Sequence, residues 1–262
     1  MNSTRRPAVA GTFYPSSPPA LRAALAAAYA GARDVDRSAP VAIVAPHAGY
    51  MYSGPIAATA YGALRPLGGT VTRVVLLGPS HYVPFDGVAV PSVDVFATPL
   101  GDVRIDAEAR ARVLGLPGVV VSDTPHANEH SLEVHLPFII DALGDVAVLP
   151  VAVGRADDDV VAGVIGAVWD GASVVPIVST DLSHYLSYDE AAVRDGATAA
   201  HVEGGRAAEI GPYDACGYRP LRGLMAAAGA RGLSMTAVDL RSSGDTAGDR
   251  ARVVGYGAFL VA

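Results

Sequence analysis

A chain of 262 residues that is 51% hydrophobic, with mean hydropathy +0.33, can bury a large core and is of ordinary length for one α/β domain, so a single domain over residues 1–262 is expected. Nineteen basic residues against 26 acidic ones give a net charge of −7 with histidine neutral, and no basic stripe is present, which argues against a nucleic-acid footprint. Every basic residue is arginine, which excludes a Schiff-base or phosphate-loop lysine, and a lone cysteine, Cys216, excludes an internal disulfide and fits a reducing, cytoplasmic setting.

The opening MNSTRRPAVAGTFYP superficially suggests a twin-arginine export signal, but Pro7, Gly11 and Pro15 interrupt what should be its apolar core. No uninterrupted apolar run reaches bilayer-spanning length, so no membrane association is expected. Pro18 and Pro19 then lead into a helix in which Leu21, Leu25, Ala28 and Tyr29 share one face. A strand follows over 41–45, and an alanine-rich helix over 54–64, with Ile56, Ala60 and Leu64 at helical spacing. Strands are predicted at Arg73–Leu77 and Gly87–Val90, a short amphipathic helix after Asp106, and a strand at Gly118–Val121. In the block HANEHSLEVHLPFIIDAL, Pro137 either starts a helix at Phe138 or kinks a longer one running from Ser131. Beyond it come a strand at Val146–Val153, a helix after Asp157–Asp159, a strand at Ser173–Val178, helices around Asp189–Val202 and Pro220–Ala230, and closing strands at Ser234–Leu240 and Arg252–Val261. This alternation predicts an α/β fold with a mainly parallel or mixed sheet covered on both faces.

Two of these strands repeat one design. VAIVAPHAGY runs through a proline into His47, and VVLLGPSHYV does the same into His81, while VVPIVSTDLSHYL carries Asp181 and His184 past a third strand. The carboxyl ends of strands in open α/β sheets are where ligands bind, so repeated delivery of such side chains there is a site signal. Two histidines with a third soft or anionic ligand hold a transition metal and leave positions open, although a loop histidine taken singly can simply bond to backbone. Cys216 lies in PYDACGYRPL, ahead of a helix, where it is either a ligating thiolate or a small buried residue.

Asp181 and His184 are three apart and share a face if the segment is helical, with Asp181 alternatively an N-cap. A carboxylate beside an imidazole can orient a general base. His130, Glu133 and His135 place two more imidazoles near a carboxylate, but HSLEVH does not have the HExxH spacing of zinc proteases. Asp157–Asp159 suit a helix amino terminus, and His126 and His201 read as exposed loop and helix residues. No GxSxG elbow is present, and GGRAAEIG is not a phosphate loop after a strand.

The segments RRPAVAGTFYP, APHAGYMYSGPIAATAY, LLGPSHYVPFDGVAV, NEHSLEVHLPF, STDLSHY and ACGYRP, in this order from Arg6 onward, resemble the Memo family, a relative of the LigB-type class III extradiol dioxygenases. The resemblance implies a three-layer α/β/α sandwich with a pocket at one sheet edge. It puts metal-site positions at His47, His81 and Cys216, with Asp181 and His184 lining the pocket. The related dioxygenases hold non-haem Fe(II) with two histidines and a carboxylate, so Cys216 substitutes a softer thiolate for the carboxylate. One implied function is therefore a metal-dependent, dioxygenase-like oxidoreductase. Iron (Fe2+) comes first there, with copper or zinc as alternatives; His130 or His184 is the acid/base and Asp181 its orienting group. The other is a non-catalytic module binding a peptide or small-molecule ligand, as eukaryotic Memo proteins are linked to phosphotyrosine-peptide binding. Bacterial relatives imply a radical-SAM protein and an AMMECR-domain protein as partners.

Overall fold

Residues 3–35 and 40–262 are described in a computed structural model. The first half of the chain supplies β1 (Thr4–Arg5), α1 (Pro18–Ala30), β2 (Ala42–Ala45), α2 (Tyr50–Leu64), β3 (Arg73–Pro79), β4 (Val88–Val90), β5 (Val95–Thr98), β6 (Gly101–Arg104), α3 (Ala107–Val113) and β7 (Val119–Val121). After two single-turn helices, α4 (Thr124–Ala127) and α5 (His130–Glu133), come α6 (Leu136–Leu143), β8 (Ala147–Val153), α7 (Asp158–Val168), β9 (Val174–Ser179) and β10 (His184–Leu186). The chain closes with α8 (Tyr188–Glu203), α9 (Tyr218–Gly229), β11 (Met235–Ser242) and β12 (Val253–Val261).

The large sheet runs β10-β12-β2-β9-β3-β8-β4-β7, with β11 also on β12. Its centre, β2-β9-β3-β8, is parallel, while β12 and β4 join antiparallel on either side, making the sheet mixed. Buried on both faces, the central strands are near-continuous runs of Val, Ile and Leu, as parallel strands require. Alternate residues feed two separate cores. In β3, Val74 and Leu76 point to the layer of α1, α2 and α6, and Val75 and Leu77 to the layer of α3, α7, α8 and α9. This is the three-layer α/β/α sandwich.

Several elements differ from the sequence reading. Helix α2 starts at Tyr50, four residues before Gly54, and carries Pro55 inside it. In the middle block a separate helix begins beside the proline, two residues earlier than Phe138, and no longer helix runs from Ser131: α5 stops at Glu133, and α6 starts at Leu136, with Pro137 in the first turn, where a missing N–H is harmless. The Asp181–His184 segment is not helical. Leu182 N–H donates to Gly255 O (2.8 Å) and Gly255 N–H to Ser183 O (2.8 Å), so pairing with β12 draws it into β10 instead. Asp181 is accordingly no N-cap. His126 is buried at 2% exposure rather than on the surface, with Nε2 3.1 Å from Ala89 O. A small sheet of β1, β5 and β6 is also present, bridged to β8 through Ile105 and Val148.

Candidate metal centre

His47, His81 and Asp181 each stand two residues beyond a strand, β2, β3 and β9 respectively. These are neighbours in the order β2-β9-β3, all parallel, so their carboxyl ends deliver the three side chains to one spot. Cys216 arrives from the opposite direction, one residue before Gly217 at the start of α9, with its N–H donating to Asp181 O at 3.2 Å. Gly217 makes this approach feasible: a Cβ there would lie 2.6 Å from Ser179 O. Ligand atoms of His47, His81 and Cys216 all fall within 4.8 Å of one another, and His47 Nε2 is 3.4 Å from Cys216 Sγ.

Hydrogen bonds fix the tautomers. The Ser179 hydroxyl donates its one proton to Ser131 O (2.6 Å), so its oxygen accepts from His47 Nδ1–H (2.6 Å), leaving His47 Nε2 as a lone pair. His81 Nδ1 donates to Glu129 Oε1 (2.9 Å), and its backbone N–H to Glu129 Oε2 (2.6 Å), which leaves Nε2 as the ring nitrogen not engaged by Glu129. Burial opposes the Glu129 charge, but the hydrogen bond from the His81 ring, together with the Ser131 and His81 backbone N–H groups, holds its carboxyl down at about 2. A carboxylate behind an imidazole is the usual support of a metal-bound histidine. The centre also depends on Gly78 in β3, where a Cβ would sit 2.8 Å from Ser131 Oγ and push α5 away.

Burial, then the surrounding imidazoles, push His47 well below its ordinary value, so it is neutral and able to donate a lone pair. Burial and then the Asp181 charge push the Cys216 thiol up, and the Asp181 N–H reaches its sulfur at 3.3 Å. Burial raises Asp181 to about 6, against the His47 N–H that donates to its Oδ1 at 2.8 Å. The donor set of two imidazoles and one thiol fits a borderline or soft transition-metal ion, whose charge would displace the thiol proton.

The other anticipated residues take different places. His130 joins the centre: its ring stacks on His81 (centroids 4.7 Å, 19°) and stands edge-on to His47 (5.4 Å). Its Nδ1 is 3.4 Å from Glu129 Oε1 but has no hydrogen-bond partner among the described residues. His184 is at the exposed rim, where Nδ1 donates to Leu182 O (2.8 Å). Glu133 and His135 lie behind the centre, buried. Sequence reasoning missed Glu129 and Ser179. Glu129 immediately precedes His130, and Ser179 ends a strand already singled out, but nothing local ties either to a distant histidine. Phe13, from the amino-terminal segment, packs on His130 at 4.6 Å. A cleft of about 210 Å³, lined in part by Phe85 and Tyr218, reaches His81 and Cys216.

A family model described as "Memo-like protein" matches residues 5–260. A MEMO1 family protein of Methanopyrus kandleri is 36% identical, with 98% of each chain covered. One from Aquifex aeolicus is 34% identical over 96% of this chain and 97% of its own. Among solved structures, an uncharacterised protein of Escherichia coli K12 shares the fold at TM-score 0.52 and 14% identity, covering 82% of this chain and 98% of that one.

Proposed function

The chain belongs to the Memo family, and on that premise we propose that it is a metal protein whose ion is held by His47, His81 and Cys216, with iron first and copper or zinc as alternatives. The observation that carries this reading is the convergence of the three donors, within 4.8 Å of one another, two of them imidazoles whose Nδ1 atoms are already engaged. Iron bound there would supply redox chemistry of the oxygenase type.

Around the donors, this chain's own groups divide the work. Ser179 and Glu129 orient the two imidazoles. Burial keeps His130 neutral, lowering it to about 4, so its imidazole can accept a proton from a ligand hydroxyl, and the Glu129 carboxylate 3.4 Å away steadies the resulting charge. Asp181 holds the His47 backbone, and His184 is the second acid/base at the rim. A pathway beside a radical-SAM protein and an AMMECR-domain protein belongs to the same proposal.

A second reading, a pocket that binds a peptide or small ligand without turnover, is favoured by one observation. Met51, Tyr82 and Tyr185 are 64%, 57% and 64% exposed, and each lies within four residues of a site residue, so large apolar surface faces solvent there. Elemental analysis of protein purified anaerobically without chelators decides between them. Stoichiometric iron, copper or zinc that His47→Ala abolishes supports the first reading; metal-free protein, or metal retained by His47→Ala, overturns it.

A further inference from the structure

Away from the metal centre, a groove of about 650 Å³ runs along α8. Asp189, Val193, Ala197 and His201 recur every four residues on that helix and all line the groove, so they form one continuous stripe. Val193 is 76% exposed in the middle of it, where an ordinary surface helix would carry a polar side chain. Leu186, the last residue of β10, extends the apolar floor, and the segment leading to Cys216 forms the facing wall, with Tyr213 82% exposed beside it.

The rim is acidic on balance, with Asp189, Glu190, Glu209 and Asp214 against Arg194. Asp214 is paired with Arg194 at 3.0 Å, but Asp189, Glu190 and Glu209 have no cationic partner among the described residues. An apolar floor between unpaired carboxylates, on a chain of net charge −7, attracts an apolar stripe flanked by positive charge. The volume is ample for several side chains from successive turns of one helix, the helix-in-groove mode of recognition.

We propose that the α8 groove docks a basic amphipathic helix of a partner protein. The position gives such docking a consequence, because Leu186 is two residues from His184 and Asp214 two residues from Cys216. A partner seated there touches both segments that reach the candidate centre.

The test uses the full chain and a designed, fluorescently labelled peptide of about four helical turns, with a leucine stripe at i, i+4 spacing and arginine elsewhere. A matched peptide carrying glutamate in place of arginine is the control. Anisotropy titrations should show binding of the arginine peptide only, and hydrogen exchange should map its protection to α8 and residues 205–217. Val193→Asp is the deciding variant: it adds negative charge while spoiling the floor, and should weaken binding about ten-fold or more, or about 1.4 kcal/mol. Glu209→Gln should weaken it less, and chiefly at low salt. Unchanged or tighter binding by Val193→Asp means non-specific attraction and overturns the proposal. So does equal binding of the two peptides, absence of binding, protection mapped elsewhere, or sedimentation showing a dimer that Val193→Asp dissociates, since the occupant is then a second copy.

Discussion

Glu129 and Ser179 act on the metal centre without being proposed ligands, and their chemistry separates their effects. Glu129 holds His81 through an ionised carboxylate, whereas Ser179 holds His47 through a neutral hydroxyl committed to Ser131 O. Glu129→Gln keeps the shape but removes the charge behind His81, and is expected to lower metal affinity by about 10- to 100-fold, as loss of such supports does. A competitive chelator titration measures this; unchanged affinity would mean that His81 is not a ligand. Cys216 yields a second expectation. Because its thiol is pushed up by burial and Asp181, the metal-free protein keeps that proton at neutral pH, and an incoming ion must expel it. Metal affinity should therefore rise by about ten-fold per pH unit around neutrality, with one proton released, and Cys216→Ser should bind metal weakly and alter that proton release. The ligand candidates were legible because strand-end motifs mark them individually. Glu129 was not, since its partner His81 is 48 residues away and only the adjacency of β3 and α5 brings them together.

Helix α5 is a single turn and cannot persist on its own propensity. What holds it is the amino-terminal segment. Arg5, in β1, donates to His126 O (2.6 Å), Glu129 O (2.8 Å) and Glu133 Oε2 (2.8 Å), and its guanidinium lies over Phe96 at 4.9 Å. Glu133 in turn accepts from the Ala8 and Val9 N–H groups and the Tyr14 hydroxyl, at 2.7 to 2.9 Å. The pair is buried, so breaking it strands a buried charge. Glu133→Ala is expected to destabilise the protein by about 3–5 kcal/mol, measured by urea unfolding. It should also weaken metal binding, because the same guanidinium fixes the backbone of Glu129. A loss below about 1 kcal/mol would place the pair with surface bridges instead. The sequence reading grouped His130, Glu133 and His135 as one cluster, yet a break after Glu133 sends His130 into the centre and His135 toward Tyr61, whose hydroxyl is 2.9 Å from its Nδ1. The role of Glu133 could not be read locally, since its partners lie about 120 residues earlier.

For the whole molecule, strands that are aliphatic runs were legible, down to β4 and β7 at three residues each, and strands without such a run were not. β3, β8 and β9 are runs of β-branched and aliphatic residues that announce themselves, whereas β1, β5, β6 and β10 span two to four residues and exist through pairing, as Thr4 with Val95 shows. The interior this architecture creates encloses histidines as neutral groups, which gives the fold a pH dependence. Burial lowers His126 to about 4 and His135 to about 3, against about 6.5 for an ordinary imidazole. Below about pH 6.5 the unfolded chain takes up protons that these folded imidazoles refuse, so each group removes about 1.4 kcal/mol of stability per pH unit until its folded value is reached. Asp181 works in the opposite sense: raised to about 6 by burial, it keeps a proton in the folded state that the unfolded chain releases above about 3.8. One carboxyl cannot offset two imidazoles. Glu129, held at about 2, adds a further loss below about 4.5, where its unfolded counterpart becomes protonated. The urea midpoint of metal-free protein should therefore fall as pH drops from about 6.5 to about 4.5, and fall less steeply in His126→Gln, which removes one titrating group. A midpoint constant across that range, or a His126→Gln profile as steep as wild type, would show that these imidazoles are protonated in the folded state.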